Sequence, residues 1–267
     1  MSRDDLQNRD NPRERVEAHH QAGEGVTRIP YPIGIRTAVV ARTTYLTAHM
    51  VRVTLTGEGL AGFHSYHCDD HVKIVFPDPD GTLRLPVPND RQLLDWPRPF
   101  PPTRSYTVRR YDGTHVDLDF VVHNSGLASP WAEALRPGDK VAIAGPPGGR
   151  AFPYTHPHYV FAVDPTGLPA AARWLDEAPS HLSADVVVEI DHPDESAYPL
   201  ATRANTKVHW IPRGALATHV LSLAVPPRTF LFAAGEADAL RPLRPWPKAD
   251  AVIRGYWKRG EADHEDH

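Results

Sequence analysis

Cysteine is almost missing from this chain. Cys68 is the only one among 267 residues, which excludes an intramolecular disulfide framework and a thiolate-ligated iron–sulfur cluster, since both need several thiols. A reducing compartment fits that usage. No apolar run approaches the roughly 18 to 20 residues that a membrane-spanning helix requires. Residues 1–30 lack both the apolar segment of a secretory signal and the acid-poor character of a transit peptide, so the expected location is cytoplasmic. After residue 155 neither a GxGxxG nor a Walker motif occurs, and no internal repeat is visible in the chain. The formal charge of −4 offers no basic surplus for general nucleic-acid binding, although 16 histidines make it sensitive to pH.

What remains is an ordinary globular composition, 41% hydrophobic and 23% charged, long enough for two domains at about 150 residues each. Mixed charge through Arg28 reads as an extended or disordered arm over residues 1–30, with a short helix across Asn11 to Gln21. The acidic, histidine-rich tail over 261–267 is expected to fray. From Ile35 the texture turns β-rich. Val51, Val53 and Leu55 alternate with Arg52 and Thr54, the pattern of a half-buried strand, and HVKIVFP supplies another strand. Several short strands ahead of any strong helix signal predict an antiparallel barrel or sandwich. His64, His67, Cys68 and His71 are all able to ligate zinc, but no second ligand pair accompanies them, and no metal site is assigned.

The stretch TRSYTVRRYD carries the chemistry. Arg104 offers a planar fork of donors, Tyr106 a flat ring, Thr107 a hydroxyl and Arg109 a second cation, on a strand whose alternate residues share a face. That set suits anionic phosphates beside an aromatic ring system. HVDLDFVVH reads as its hairpin partner. Beyond it, Ser129 is the expected N-cap of a short helix with Pro130 at its first position, and the free N–H groups there would favour a diphosphate.

After residue 155, strands alternate with helices: HYVFAV, the helix LPAAARWLDEAP, ADVVVEIDH, TKVHWIPRG, RTFLFAAGE and AVIRGYW. The alternation predicts a mostly parallel sheet of the nucleotide-binding type. Pro242, Pro245 and Pro247 rule out a regular helix after the strand ending at Glu236.

The ordered set DDHVKIVFP, RSYTVRRYD, DLDFVVH, GLASPWA, LRPGDKVAIAGPPGG, AAGEADALRPLR and GYWKRG, running from Tyr31 to Gly260, resembles the siderophore-interacting proteins. These are FAD-dependent ferric-siderophore reductases of the ferredoxin-reductase-like superfamily. The resemblance implies a flavin-binding barrel over 31–154 and an NAD(P)H-binding-like α/β domain over 155–260. It also implies a cofactor set of FAD with NADPH or NADH as electron donor. By motif match Arg104 would hold the flavin diphosphate, Tyr106 would lie against the isoalloxazine, and Thr107 would hydrogen-bond near its reactive nitrogen, making Tyr106 and Thr107 the catalytic candidates. Ser105, Val108, Arg109, His123, Gly126, Ala128, Ser129 and Trp257 complete the implied FAD contacts. Thr166, Gly235 and Glu236 fall at the nicotinamide site. Lys73, Arg109, Lys258 and Arg259 are the cations that would draw in an anionic ferric siderophore.

One departure from the family pattern stands out. Where relatives carry a GDET-like turn, this chain has Val163-Asp164-Pro165-Thr166-Gly167, with more bulk and one backbone donor fewer. Two other readings stay open on that account: a flavoenzyme fed by ferredoxin or turned to biosynthesis, and a non-enzymatic siderophore-binding protein.

Overall fold

The computed structural model describes residues 8–123, 126–201 and 203–261. The chain divides into two compact units, Met1–Glu17 with Arg28–Arg150 and Ala18–Thr27 with Ala151–His267. The short helix expected across Asn11 to Gln21 is present as α1 (Pro12–Ala22), and strand β1 (Thr27–Pro30) forms where the rest of the arm is expected to be extended or disordered. Apolar anchors missed in the mixed-charge reading explain the order. Val16 and Tyr31 are fully buried, and the His20 ring stacks on Tyr154 at 4.2 Å. Residues 1–7 and the tail from 262 lie outside the described residues.

The first unit contains β2 (Ile35–Thr47), β3 (Met50–Thr56), β4 (His71–Val75) and the two-residue strands β5 (Val87–Pro88) and β6 (Leu94–Asp95). It continues with β7 (Thr103–Tyr111), β8 (Val116–Val121), helix α2 (Ala128–Ala134), β9 (Lys140–Ala144) and β10 (Gly148–Ala151). Six strands close a barrel in the order β2-β3-β8-β7-β4-β9, and every pairing in it is antiparallel. Val51, Val53, Leu55, Val72, Ile74, Val108, Leu118, Phe120 and Ile143 fill the interior, as the alternation requires. Each such side chain contributes about 1.5–3 kcal/mol on burial.

The polar positions of β8 are not solvated, contrary to simple alternation. Asp119 accepts two bonds from Arg52, at 2.6 and 2.8 Å, and Asp117 accepts one from the Thr54 hydroxyl at 2.6 Å. These cross-strand pairs let both carboxylates lie buried on the outer face.

The second unit is a parallel sheet of β11 (Tyr159–Val163), β12 (Ala184–Ile190), β13 (Thr206–Pro212), β14 (Phe230–Glu236) and β15 (Ala251–Trp257). Its order is β13-β12-β11-β14-β15. Helix α3 (Leu168–Glu177) follows β11, and helix α4 (Leu216–Ser222) follows β13. β11 and β14 are buried along their whole length, the continuous apolar writing of strands covered on both faces. The proline-rich stretch after β14 forms two short 3-10 turns, Arg241–Leu243 and Lys248–Asp250, in place of a regular helix, as its prolines dictate. Because the chain leaves β11 toward β12 and later returns on its other side as β14, the sheet switches direction between those two strands. In open parallel sheets, ligands bind at the strand C-termini at such a point. No helix among the described residues is long and apolar enough to cross a membrane.

Candidate functional site

In the barrel unit, β7 is the organising strand. It pairs with β4 so that Ser105 lies opposite Lys73 and Thr107 opposite His71, while Arg104 lies opposite Ile74 and Tyr106 opposite Val72. Directly opposed residues of an antiparallel pair share a face. Ser105, Thr107, Lys73 and His71 therefore form one group. Arg104, Tyr106 and Val108 form the other, on the side of the core residues Val72 and Ile74. The Tyr106 ring packs on Phe120 with centroids 4.1 Å apart. Burial pushes its hydroxyl above the ordinary phenol range, against the opposing pull of Arg104. Thr107 and Arg109 are both buried.

The Tyr106–Phe120 contact shows β7 running past the end of β8, which carries Arg104 toward the segment leading into α2. Here the structure corrects the expected helix cap. Helix α2 starts at Ala128 with Leu127 before it and no side-chain cap, because the Ser129 hydroxyl accepts the His123 N–H at 2.9 Å and so closes the loop. Gly126 has φ 84°, and a Cβ there would come 3.2 Å from His123 Cε1. A side chain there would crowd the ring and be strained by the positive φ, which suits glycine. Asn124 and Ser125, also in this loop, lie outside the described residues. A guanidinium at a strand end, a glycine-bearing loop and clustered hydroxyls are a donor set that suits a flavin dinucleotide.

In the α/β unit, the expected nicotinamide residues converge on one side chain that the sequence reading passed over, Asp164. Its Oδ1 accepts the Thr166 N–H at 2.8 Å and the Thr166 hydroxyl at 2.5 Å. Its Oδ2 accepts the Glu236 N–H at 3.1 Å and the Trp257 indole N–H at 2.7 Å. Burial raises the Asp164 carboxyl, and the bonds from Thr166 and Trp257 oppose that rise. The Asp164 carbonyl also accepts the N–H groups of Gly167 and Leu168, at 3.0 and 3.2 Å. The turn thus spends its donors internally.

Two glycines make this possible. A Cβ on Gly167 would sit 2.7 Å from the Ala234 carbonyl and 2.9 Å from Val163 Cβ, so the turn packs against β14 only because residue 167 has no side chain. Gly235, at φ 154°, would place a Cβ 2.7 Å from the Asp164 carboxyl carbon. Its glycine is required by Asp164. Glu236 accepts from Ala239 N–H at 2.7 Å and Arg259 N–H at 3.2 Å.

Trp257, assigned to the flavin by motif, is held by Asp164 on one edge and has Arg213 over its ring, 5.8 Å from the centroid. Arg213 in turn bonds Asp191 through Nε at 2.8 Å and through its terminal nitrogen at 2.5 Å, and Glu189 at 3.2 Å. Sequence reasoning missed Asp164, Glu189, Asp191 and Arg213. Their signal was position, since each closes a parallel strand at its C-terminal end. Of the expected siderophore-binding cations, Lys73 and Arg109 belong to the barrel unit. Lys258, ion-paired with Glu261, and Arg259 belong to the α/β unit.

Comparison with known proteins agrees with this division. Residues 39–150 match the siderophore-interacting FAD-binding domain, and residues 156–260 match the siderophore-interacting protein family. The chain is 36% identical over 151 residues to the NADPH-dependent ferric-chelate reductase of Escherichia coli, covering 56% of this chain and 59% of that protein. It is 30% identical over 248 residues to the ferric vibriobactin reductase ViuB of Vibrio cholerae, covering 84% and 91%. The crystal structure of a siderophore utilization protein from T. fusca, 34% identical, superposes with a TM-score of 0.83 over 90% of this chain and 98% of that one. A barrel of this topology joined to a parallel nucleotide-binding sheet defines a ferredoxin-reductase-like flavoprotein. Within that class, the chain belongs to the siderophore-interacting protein family.

Proposed function

We propose that this protein is an FAD-dependent ferric-siderophore reductase that takes electrons from NADPH or NADH and delivers them to siderophore-bound Fe(III). The observation that carries this reading is that Arg104 at the start of β7 and the Gly126 loop, closed by the Ser129–His123 bond, both belong to the segment that matches an FAD-binding domain. The names of the Escherichia coli and Vibrio cholerae relatives support the reaction.

Bound FAD supplies acceptance of two electrons and their release one at a time. The protein's own part is binding, orientation and electrostatics. Arg104 would hold the diphosphate through its guanidinium, with Ser105, Val108, Gly126, Ala128 and Ser129 as the other residues assigned to it. Tyr106, fixed by Phe120, gives the ring system a rigid flank. Thr107 would offer its hydroxyl to the reactive edge, and Lys73, opposite Ser105, would set a positive charge for an anionic chelate. Ferric iron is hard and tightly held by oxygen ligands, and reduction weakens the chelate enough to free the metal. The protein therefore need not ligate iron.

The test is an anaerobic assay of the FAD-loaded protein with each nicotinamide, followed by a ferric chelate and a ferrous-iron trap. Flavin bleaching and ferrous release are expected. A second reading, ferredoxin as the electron source, is favoured by the internal use of the Thr166, Gly167 and Leu168 N–H groups, which leaves that turn without donors for a coenzyme phosphate. Bleaching by reduced ferredoxin, with neither nicotinamide effective, would select it.

A further inference from the structure

The C-terminal edge of the parallel sheet carries a charge arrangement that bears on the choice of coenzyme. After the first strand, turn and helix of a nucleotide-binding sheet, the end of the second strand faces the adenosine ribose. A carboxylate there accepts the ribose 2′-hydroxyl, whereas a free arginine accommodates a 2′-phosphate. In this chain the corresponding strand is β12. Glu189 lies near its end and Asp191 directly after it, with Arg213 immediately beyond β13.

The two carboxylates differ. Glu189 is buried and committed, accepting Gly214 N–H at 2.6 Å, Leu216 N–H at 3.2 Å and Arg213 at 3.2 Å. Asp191 has 48% of its side chain exposed and uses each oxygen once, toward Arg213. Each of its oxygens keeps a lone pair for an incoming hydroxyl. The Arg213 side-chain hydrogen bond holds the Asp191 carboxyl below its usual range. Arg213 spends its fork on these two acids and also feels Asp164. His192 and Arg259 also act on Asp191, and Arg259 acts on Glu236 as well. Among the described residues carboxylates therefore outnumber arginines at this edge, and the Arg213 fork is already spent on acids rather than open to a phosphate.

We propose that Asp191, by occupying Arg213 and presenting its outer lone pairs to the ribose, makes this chain select NADH over NADPH. The assignment rests on the nicotinamide-dependent reading above. An NADH ribose brings two hydroxyl donors to Asp191, whereas the NADPH 2′-phosphate brings a near-dianion against it, a like-charge contact that strongly disfavours the wrong partner. Asp191 is in this sense a specificity-determining residue. It does not touch the reacting atoms.

The experiment compares NADH with NADPH in kcat/KM for flavin reduction, and ADP with 2′,5′-ADP in calorimetric binding to the FAD-loaded full chain, for the parent protein and Asp191→Asn. The parent protein is expected to favour NADH by at least about tenfold, mainly through KM, and to bind ADP more tightly than 2′,5′-ADP. Asp191→Asn, which keeps the shape but releases Arg213, is expected to shift both ratios toward the phosphorylated ligand by about tenfold or more. Preference of the parent for NADPH and 2′,5′-ADP, or ratios unmoved by Asp191→Asn, overturns the assignment while leaving the reductase reading intact. If neither nicotinamide reduces the flavin, the nicotinamide-dependent reading falls and the assignment with it. Should Asp191→Asn lose FAD, the parent's ADP and 2′,5′-ADP affinities still decide.

Discussion

The indole N–H of Trp257 donates to the Asp164 carboxylate at 2.7 Å, joining the end of β15 to the turn after β11. This bond ties together the two sides of the sheet's switch point, through a carboxylate that is 2% exposed. Burial raises Asp164, so its contribution to stability is fully present below the unfolded-chain pKa and falls as pH rises through the raised folded value. Asp164→Asn removes that ionisation. The difference in urea-unfolding free energy between parent and variant is expected to move in favour of the variant from about pH 4 upward. A difference independent of pH would contradict the assignment.

Replacing Arg104 by alanine removes a charge-assisted fork to phosphate. FAD retention, measured by calorimetry or by filtration of the yellow protein, is expected to weaken by about 10- to 100-fold, the equivalent of ~1.5–3 kcal/mol. Lys73→Ala should leave FAD affinity near the parent value, since Lys73 is assigned to the chelate. Equal effects of the two would separate Arg104 from the diphosphate.

Asp119→Ala leaves Arg52 on the outer face of the barrel without its bidentate partner, whose carboxylate is fully buried. Breaking one side of a buried pair costs about 3–5 kcal/mol. Chemical denaturation should show that loss.

Gly167→Ala presses a methyl group against the Ala234 carbonyl, a backbone atom that cannot step aside. A destabilisation of about 1–3 kcal/mol is expected, of the size seen for overpacked interiors. Thermal melting of the variant checks it.

The barrel and the parallel sheet were both legible in the sequence because their signals are periodic. Val51, Val53 and Leu55 alternate as a one-sided strand must, and Tyr159–Val163 is apolar throughout, as a strand covered on both faces must be. Arg104, Tyr106 and Thr107 stood out as candidates because their types are chemically specific. The closure of the loop by Ser129 was misread as a cap, because a serine before a proline signals a helix start whichever N–H its hydroxyl finally accepts. The burial of Asp117 and Asp119 was not legible, because alternation reports the face a residue occupies and says nothing of the cross-strand partner that covers it. The cluster of Asp164, Glu189, Asp191 and Arg213 was invisible for a different reason. These residues are far apart in sequence and meet only where parallel strands end in register.

The most direct measurement of the central claim is the visible spectrum of the purified protein, recorded anaerobically before and after a nicotinamide and then after a ferric siderophore. The account predicts a yellow protein with flavin absorbance, bleaching on addition of the nicotinamide, and recovery of colour with release of ferrous iron when the chelate is added. A colourless protein that gains no flavin on reconstitution with FAD would contradict it.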